Sequence, residues 1–274
     1  MNLNQEFNLH SHTTRCGHAN GADEEYVLAA IKAGFKEMGF SDHVFLPGLT
    51  QPRMRGNYEL LDDYLDSVTS LQEKYKNQIK IYKAFEAEWY GPRFEDYYKE
   101  LLAKGVVDYL ILGQHCFFDK QFIFYGRYEN RSLGTYLYLN DLLKGMESGL
   151  FLYVCHPDLF MAWHGIFDTQ AYEAAKAIAK KSKELDIPLE VNMGPSRYVE
   201  GGPRGGHLTY PNHRFWEVVA DIGAPCVFGV DAHEPSNYQT SDYGFFNEFA
   251  TELGLKMVDP RPKMALIRNK LVSR

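Results

Sequence analysis

The sequence predicts one α/β barrel domain over residues 1–274. Short apolar runs alternate along the chain with longer amphipathic runs, which is typical of strand–helix units. Seven such units occur, and this number favours a barrel over a doubly wound open sheet. Polar residues, histidines above all, follow almost every apolar run, as expected where strand ends build an active site. We therefore expect one barrel with a site at the carboxyl ends of its strands.

The seven predicted strands are short, and the fourth is a nearly continuous apolar run of the kind that is covered on both faces. In chain order the predicted strands are residues 7–10, 38–40, 79–87, 106–112, 151–155, 188–192 and 225–230.

Helices are predicted between these strands from apolar residues spaced three and four apart. They cover residues 23–34, 58–75, 94–104, 136–146, 169–185, 211–222 and 245–253, and an extended tail is expected after them. Eight of the residues in segment 117–138 are Phe or Tyr. We expect this segment either to wall or cover a pocket or to pack as ordinary core.

Composition excludes several classes of protein. With 29 basic and 36 acidic residues the net charge is −7, which argues against a general nucleic-acid binder. The sequence shows neither a membrane-length apolar stretch nor a signal peptide at its polar, acidic start. Its four cysteines are scattered without a C-x-x-C pair and are expected to be reduced thiols. We therefore expect a cytoplasmic protein with no membrane partner; the oligomeric state stays open.

The predicted strands end in metal-ligating residue types. His10 and His12 lie two apart, so they face the same side of a strand about 7 Å apart and can share one ion. Asp231 and His233 repeat this spacing on the last strand. Seven histidines and two carboxylates make nine ligands, or three for each of three ions. These nine are His10, His12, His18, His43, Glu86, His115, His156, Asp231 and His233. Imidazole and carboxylate suit Zn²⁺, Mn²⁺ and Fe.

The ordered set of motifs resembles the PHP (polymerase and histidinol phosphatase) superfamily. The resemblance runs from residue 8 to about 235 and implies a distorted (β/α)7 TIM-like barrel with a trinuclear metal site. Its motifs are His10-Ser11-His12, Cys16-Gly17-His18, Gly39-Phe40-Ser41-Asp42-His43, Phe85-Glu86-Ala87-Glu88, Gly113-Gln114-His115, His156-Pro157-Asp158 and Gly229-Val230-Asp231-Ala232-His233.

The resemblance also implies how the ligands divide. It assigns the first ion to His10, His12, Glu86 and Asp231, the second to Glu86, His115 and His156, and the third to His18, His43 and His233. For Asp42 we expect an orienting hydrogen bond to an imidazole. Cys16, Cys116 and Cys155 are interpreted as small packing residues rather than ligands.

Stand-alone histidinol-phosphate phosphatases are the most similar branch. This resemblance implies a phosphomonoester hydrolase of histidine biosynthesis that acts on L-histidinol phosphate with three divalent ions (Zn, Mn or Fe) and a metal-bridging hydroxide. Asp231 or His233 is expected to pass a proton to the leaving alkoxide. Arg197, in a loop that resembles an arginine-bearing loop of that branch, and Arg15 are the candidate phosphate ligands, since a forked guanidinium suits phosphate.

Three other hypotheses remain open. The chain is one residue shorter than that branch between Gly113 and His115, and Met193 replaces a small hydroxyl residue. A PHP-type phosphoesterase for another small phosphate ester or nucleotide therefore stays as an alternative. A metal-binding or regulatory protein without turnover is the second. The third is an amidohydrolase on a related barrel, which is disfavoured because no lysine ends a predicted strand.

Overall fold

The computed structural model describes residues 3–198, 200, 202 and 208–273. Its strands are short, as the spacing of apolar runs predicts, and most of them are parallel. In chain order they are β1 Phe7–Asn8, β2 Glu37–His43, β3 Lys80–Ala87, β4 Tyr109–Leu112, β5 Cys116–Asp119, β6 Gln121–Phe124, β7 Leu189–Asn192, β8 Pro225–Gly229 and β9 Lys256–Met257.

Two parallel sheets, β1-β2-β3-β4 and β7-β8-β9, form most of a barrel. Three isolated bridges connect them. Leu112 pairs with Val154, Val154 pairs with Leu189, and Ser11 pairs with Ala232. The seven segments predicted from the sequence thus follow one another around a ring, which confirms the α/β barrel class. The barrel is distorted because single bridges replace full strand pairing at these three places.

Helices cover the outside of the sheets. Among the described residues they are α1 Asp23–Lys32, α2 Leu61–Tyr75, α3 Pro92–Ala103, α4 Arg131–Glu147, α5 Met161–His164, α6 Thr169–Leu185, α7 His213–Ile222, α8 Asn237–Thr240, α9 Tyr243–Leu253 and α10 Pro262–Val272. Side-chain oxygens of Asn130, Asp168 and Asn212 cap α4, α6 and α7 at their N-termini. None of the helices in the described part of the chain combines the length and hydrophobicity needed to cross a bilayer.

A small apolar cluster fills the barrel interior and supports the site. Tyr82 and Ala84 of β3 belong to this cluster together with Tyr109 and Ile111 of β4. Because alternate residues of a strand share a face, Glu86 continues the inward row of β3 at its carboxyl end. The same alternation that buries Tyr82 and Ala84 thus places a carboxylate at the centre of one barrel rim.

Three details differ from the sequence-based prediction. The fifth strand, residues 151–155, is reduced to a bridge at Val154, because neither neighbouring strand pairs with it continuously. The start of the aromatic segment forms an antiparallel hairpin of β5 and β6, with Lys120 at φ 60° in its turn. The prediction of an extended tail is wrong. Residues Pro262–Val272 form helix α10, because proline is favoured in the first turn of a helix. Met264 and Ile267 pack α10 onto the barrel.

Candidate metal centre

Glu86 lies at the middle of a cluster of imidazoles. Its Oε1 atom is 2.9 Å from His156 Nε2 and 3.5 Å from His115 Nε2. Its Oε2 atom is 3.1 Å from His43 Nδ1 and 3.5 Å from His12 Nε2. The side chain is 1% exposed, so these contacts lie in a region of low dielectric constant. One carboxylate is therefore shared between two groups of ring nitrogens.

Asp231 gathers the remaining ligands. Its Oδ1 atom is 3.4 Å from His10 Nε2, 3.2 Å from His12 Nε2 and 3.3 Å from His233 Nδ1. The Nε2 atoms of His10 and His12 are 3.2 Å apart, and those of His18 and His233 are 3.0 Å apart. The structure thus brings all nine sequence-predicted ligands together at one rim, although they span residues 10 to 233.

Two of these ligands have unusual backbone conformations. His156 has φ 29° and Asp231 has φ 51°, in the left-handed region that residues other than glycine seldom adopt. Each such residue costs about 1–3 kcal/mol unless its surroundings enforce it. Strain of this kind is concentrated at functional sites. The His156 side chain meets Glu86 at 2.9 Å, and the Asp231 side chain meets His12 at 3.2 Å.

The donor set fits metal ions. Asp231 Oδ1 and His43 Nδ1 are buried, and none of their short contacts has the geometry of a hydrogen bond. Buried polar atoms in native proteins nearly always have a partner, so such orphans need an explanation. A bound cation would explain these unpaired atoms. The ligand atoms of His10, His12 and Asp231 lie within 4.8 Å of one another, and those of His12, His43 and His233 do so too. Several ions therefore fit, in agreement with the multi-metal site implied by the sequence.

Electrostatics favour the ligating forms of Glu86, His43 and His233, whereas neighbouring carboxylates outweigh burial and raise the pKa of His10, His12 and His156. Burial alone would raise the pKa of Glu86, but the neighbouring imidazoles, His115 and His43 first, hold it well below its usual value. Burial lowers the pKa of His233 to about 3, and the His12 imidazole adds to this effect. Burial likewise holds the pKa of His43 well below its usual value. Neutral imidazole and ionised carboxylate are the forms that bind metal.

Carboxylates lie next to the Nδ1 atoms of three of the imidazoles. Glu190 Oε2 is 2.9 Å from His10 Nδ1, and Glu88 Oε1 is 3.2 Å from His115 Nδ1. Asp42 Oδ1 lies 3.5 Å from His12 Nδ1 without the geometry of the expected hydrogen bond, and it accepts instead from the His43 backbone N–H. A carboxylate placed like that of Glu190 or Glu88 fixes the tautomer and the orientation of a ligating ring. No role was predicted for Glu88 or Glu190 from the sequence. Glu88 directly follows the predicted strand 79–87, and Glu190 lies near the end of the predicted strand 188–192.

The two candidate phosphate ligands lie in different places. Arg197 lines the cavity at the centre and donates to the carbonyl oxygens of Val230 and Asp231 at 2.8 and 2.6 Å. Arg15 instead pairs with Asp23 and Asp63 at 2.8 and 2.7 Å. It is not among the residues that line the cavity. Because two carboxylates already hold its guanidinium, we remove Arg15 from the candidate phosphate ligands.

A cavity of about 510 Å³ opens over the metal-ligand cluster. Beyond the ligands and Arg197, its walls include Met54, Leu159, Tyr198 and Tyr210. Among the described lining residues, none comes from segment 117–138, so the pocket wall considered for that segment is not found. Aromatic residues of the hairpin instead contact other residues of the same segment. The Phe117 ring packs against Tyr125 and Tyr128, and the Phe118 ring packs against Phe122.

The cysteines next to the motifs are buried. Cys16 and Cys155 each lie within a cluster of candidate ligand atoms. Burial raises the pKa of the Cys16 thiol to about 12 and that of Cys155 well above its usual value. A protonated thiol is a poor ligand because the thiolate is the form that binds metal. Packing remains the better interpretation of both.

Barrel and site together define an α/β barrel protein with a candidate multi-metal centre at the carboxyl ends of its strands. A family model described as the PHP domain matches residues 8–194, more than half of the chain. The chain therefore belongs to the PHP domain family, as the resemblance implied.

Several proteins that are similar to this chain are named histidinol-phosphatases. A Deinococcus radiodurans protein named "Probable histidinol-phosphatase" is 29% identical over 233 residues, which cover 82% of this chain and 85% of that protein. A Schizosaccharomyces pombe protein of the same name is 24% identical and covers 82% and 80%. The structure of histidinol phosphate phosphatase from Lactococcus lactis, complexed with zinc, L-histidinol and phosphate, superposes with a TM-score of 0.67. It is 16% identical and covers 92% of this chain and 95% of its own, so it supports the distorted barrel fold.

Proposed function

We propose that this protein is a metal-dependent phosphomonoester hydrolase that acts on L-histidinol phosphate in histidine biosynthesis. The observation that carries the proposal is that seven imidazoles meet Glu86 and Asp231 at one rim, with five of the imidazoles in contact with Glu86, beneath a cavity of about 510 Å³. The names of the two relatives and the zinc, histidinol and phosphate bound to the Lactococcus lactis enzyme support the same substrate.

Three ions are proposed to occupy the centre, with Glu86 shared between two of them. Zn²⁺, Mn²⁺ and Fe all suit these nitrogen and oxygen ligands. The proposed sets are His10, His12, Glu86 and Asp231, then Glu86, His115 and His156, then His18, His43 and His233. When bound, the ions lower the pKa of water toward neutrality and offset the charge that develops on the phosphoryl oxygens.

The protein's own groups bind the ester and move the proton. Arg197 is proposed to bind a phosphate oxygen, since its Nε atom is buried without a partner while both terminal nitrogens donate to backbone carbonyls. Asp231 is ionised, because the His10 and His233 imidazoles hold its pKa well below its usual value despite burial. Asp231 or His233 is proposed to pass a proton from the attacking water to the leaving alkoxide.

Two measurements test the proposal. Plasma emission should find about three ions per chain, and one or none would contradict the trinuclear site. Phosphate release should be fastest from L-histidinol phosphate in a panel that also contains sugar phosphates and nucleotides. His115→Ala should abolish turnover, whereas His213→Ala, a change at an exposed imidazole paired with Glu217, should not. Equal loss in both variants would remove the assignment of His115 as a ligand.

One observation favours the alternative, a PHP-type phosphoesterase for another small phosphate ester or nucleotide. Among the described residues that line the cavity, Glu86 and Asp231 are the sole carboxylates, and both are proposed to bind metal. The ammonium group of histidinol phosphate would then lack a free carboxylate there. Preference in the panel for an ester without an ammonium group would establish this alternative.

We further propose that residues 1–274 act as one domain and that the enzyme is cytoplasmic, with no nucleic-acid partner. The bridge between Ser11 and Ala232, which links distant parts of the chain, supports the first point. The net charge of −7 supports the absence of a nucleic-acid partner. The proposed role in histidine biosynthesis supports a cytoplasmic location.

A further inference from the structure

A fully buried ion pair lies next to the metal centre and has no part in the proposed chemistry. Arg55 Nη2 donates to Glu88 Oε2 at 2.7 Å, and neither side chain is exposed to solvent. Removing two charges from water is costly, and a buried pair of this kind often stabilises a fold no more than apolar residues would. Its presence in the barrel therefore points to a role other than stability.

The Arg55 side chain is held on every side. Its Nε atom donates to Gln51 Oε1 at 2.8 Å, and Nη1 donates to the Val44 carbonyl oxygen at 2.9 Å. Nη2 also contacts Tyr90 Oη at 3.2 Å. With these donors occupied the guanidinium has one available position, and a fixed guanidinium fixes the carboxylate bound to it. Arg55 thus fixes the position of the Glu88 carboxylate through its Oε2 atom.

The other oxygen of Glu88 faces a proposed metal ligand. Glu88 Oε1 is 3.2 Å from His115 Nδ1, while the opposite ring nitrogen, Nε2, is 3.5 Å from Glu86 Oε1. An ionised carboxylate only accepts hydrogen bonds, so His115 must donate from Nδ1. The lone pair of the ring then lies on Nε2, on the side of Glu86 and the proposed second ion.

We propose that Arg55 and Glu88 are a positioning pair that sets the tautomer and the ring orientation of His115. Neither residue touches the substrate; both act through His115. The inference rests on the proposed metal centre, because it concerns how one ligand of that centre is presented. It predicts that the pair governs how tightly an ion is held, independently of which ester is hydrolysed.

Metal retention in variants tests the pair. Glu88→Gln and Arg55→Met should each weaken the binding of one ion about 10- to 100-fold, the usual effect of losing such an outer partner. Arg55→Lys, which keeps the charge, should recover part of that affinity. The matched control is Arg261→Met, because Arg261 also pairs with a glutamate, Glu37, at 2.7 Å, but at the surface. Affinity is measured by chelator competition with plasma emission, and the fold by circular dichroism of the metal-free proteins.

A folded Glu88→Gln protein that retains all its ions as tightly as the unmodified protein would overturn the proposal. So would equal losses in the Arg55→Met and Arg261→Met proteins. If a variant does not fold, the unmodified, metal-free protein still gives an answer. A long-range ¹H–¹⁵N spectrum at mildly alkaline pH should show His115 protonated on Nδ1, with its signals assigned by their absence from a His115→Gln protein. Protonation on Nε2 instead would refute the inference.

These readouts separate the inference from the proposed function. If no phosphate ester is hydrolysed while Glu88→Gln still loses an ion, the proposed function fails and the positioning pair stands. If L-histidinol phosphate is hydrolysed rapidly but His115 is protonated on Nε2, the proposed function stands and the positioning pair fails.

Discussion

Adding one methyl group at Gly113 should disable the centre without altering any ligand. A Cβ atom there would lie 1.9 Å from Glu86 Oε1 and 2.5 Å from its Cδ atom. Real Cβ contacts are not shorter than about 3.0 Å, so the Glu86 carboxylate would have to move by more than 1 Å. A misplacement of about 1 Å at a reacting centre can cost about 100-fold in rate, or about 2.7 kcal/mol of transition-state stabilisation. The Gly113 backbone lies outside the left-handed region, so alanine itself causes no strain there.

The assay compares Gly113→Ala with Gly126→Ala, in which the added Cβ comes no closer than 3.3 Å to the Trp163 side chain. We expect Gly113→Ala to lose about 100-fold in kcat/KM on the best phosphomonoester, together with bound metal, and to keep the circular dichroism of the unmodified protein. The control should stay within about twofold. If Gly113→Ala keeps both its metal content and its kcat/KM, the central position of Glu86 is not what the reaction requires.

Three further changes test separate contacts. Glu190→Gln removes the charge that lies 2.9 Å from His10 Nδ1, so metal affinity should fall about 10- to 100-fold in a chelator titration; unchanged affinity would exclude an orienting role. Arg15→Gln should leave kcat/KM within about twofold, because its partners lie outside the cavity, and a large rise in KM would return Arg15 to the phosphate site. Burial raises the pKa of Asp158 from 3.8 to about 7, so its contribution to stability is present below the unfolded pKa and is lost as the pH rises through about 7. Asp158→Asn should therefore flatten the fall in unfolding temperature between about pH 4 and about pH 7, and an unchanged slope would contradict this.

The order of the site along the chain was predictable because the barrel converts sequence order into position on a rim. His10, Glu86 and His115 each follow an apolar run, and parallel strands bring such positions to one edge. Strand ends could therefore be assigned to a single site without knowing the register of any strand pair. The same argument predicted that His10 and His12 share a side, and their Nε2 atoms are 3.2 Å apart.

What could not be predicted depends on three-dimensional neighbours. Glu190 reaches His10 from the opposite side of the ring, 180 residues away along the chain, and no spacing in the sequence encodes that contact. The sequence favoured Arg197 because of its loop and kept Arg15 as a second candidate. The structure shows Asp23 and Asp63 beside Arg15, which the sequence could not show. The hairpin of β5 and β6 was missed because its turn lacks the Asn-Gly or Asp-Gly pair that signals a tight hairpin.

Two roles are proposed for Arg197, and one substitution can separate them. Its Nη2 atom donates to the carbonyl oxygen of Asp231 at 2.6 Å, and this helps to hold Asp231 in its left-handed conformation. Its Nε atom is buried without a partner, and a phosphate oxygen would supply one. A phosphate ligand predicts that Arg197→Ala raises KM while the metal content stays the same; a role limited to Asp231 predicts loss of metal instead.

We expect the first result, a rise in KM of about 10-fold or more, because hydrogen bonds between charged groups contribute about 1.5–3 kcal/mol. Asp231 keeps a second restraint in that variant, since the adjacent Ala232 remains paired with Ser11, which follows β1. Arg197→Lys preserves the charge but not the fork, so it should recover little of the loss in KM. Steady-state kinetics and plasma emission on the same preparations decide the matter. Lost metal with an unchanged KM would show that Arg197 acts on Asp231 and not on phosphate.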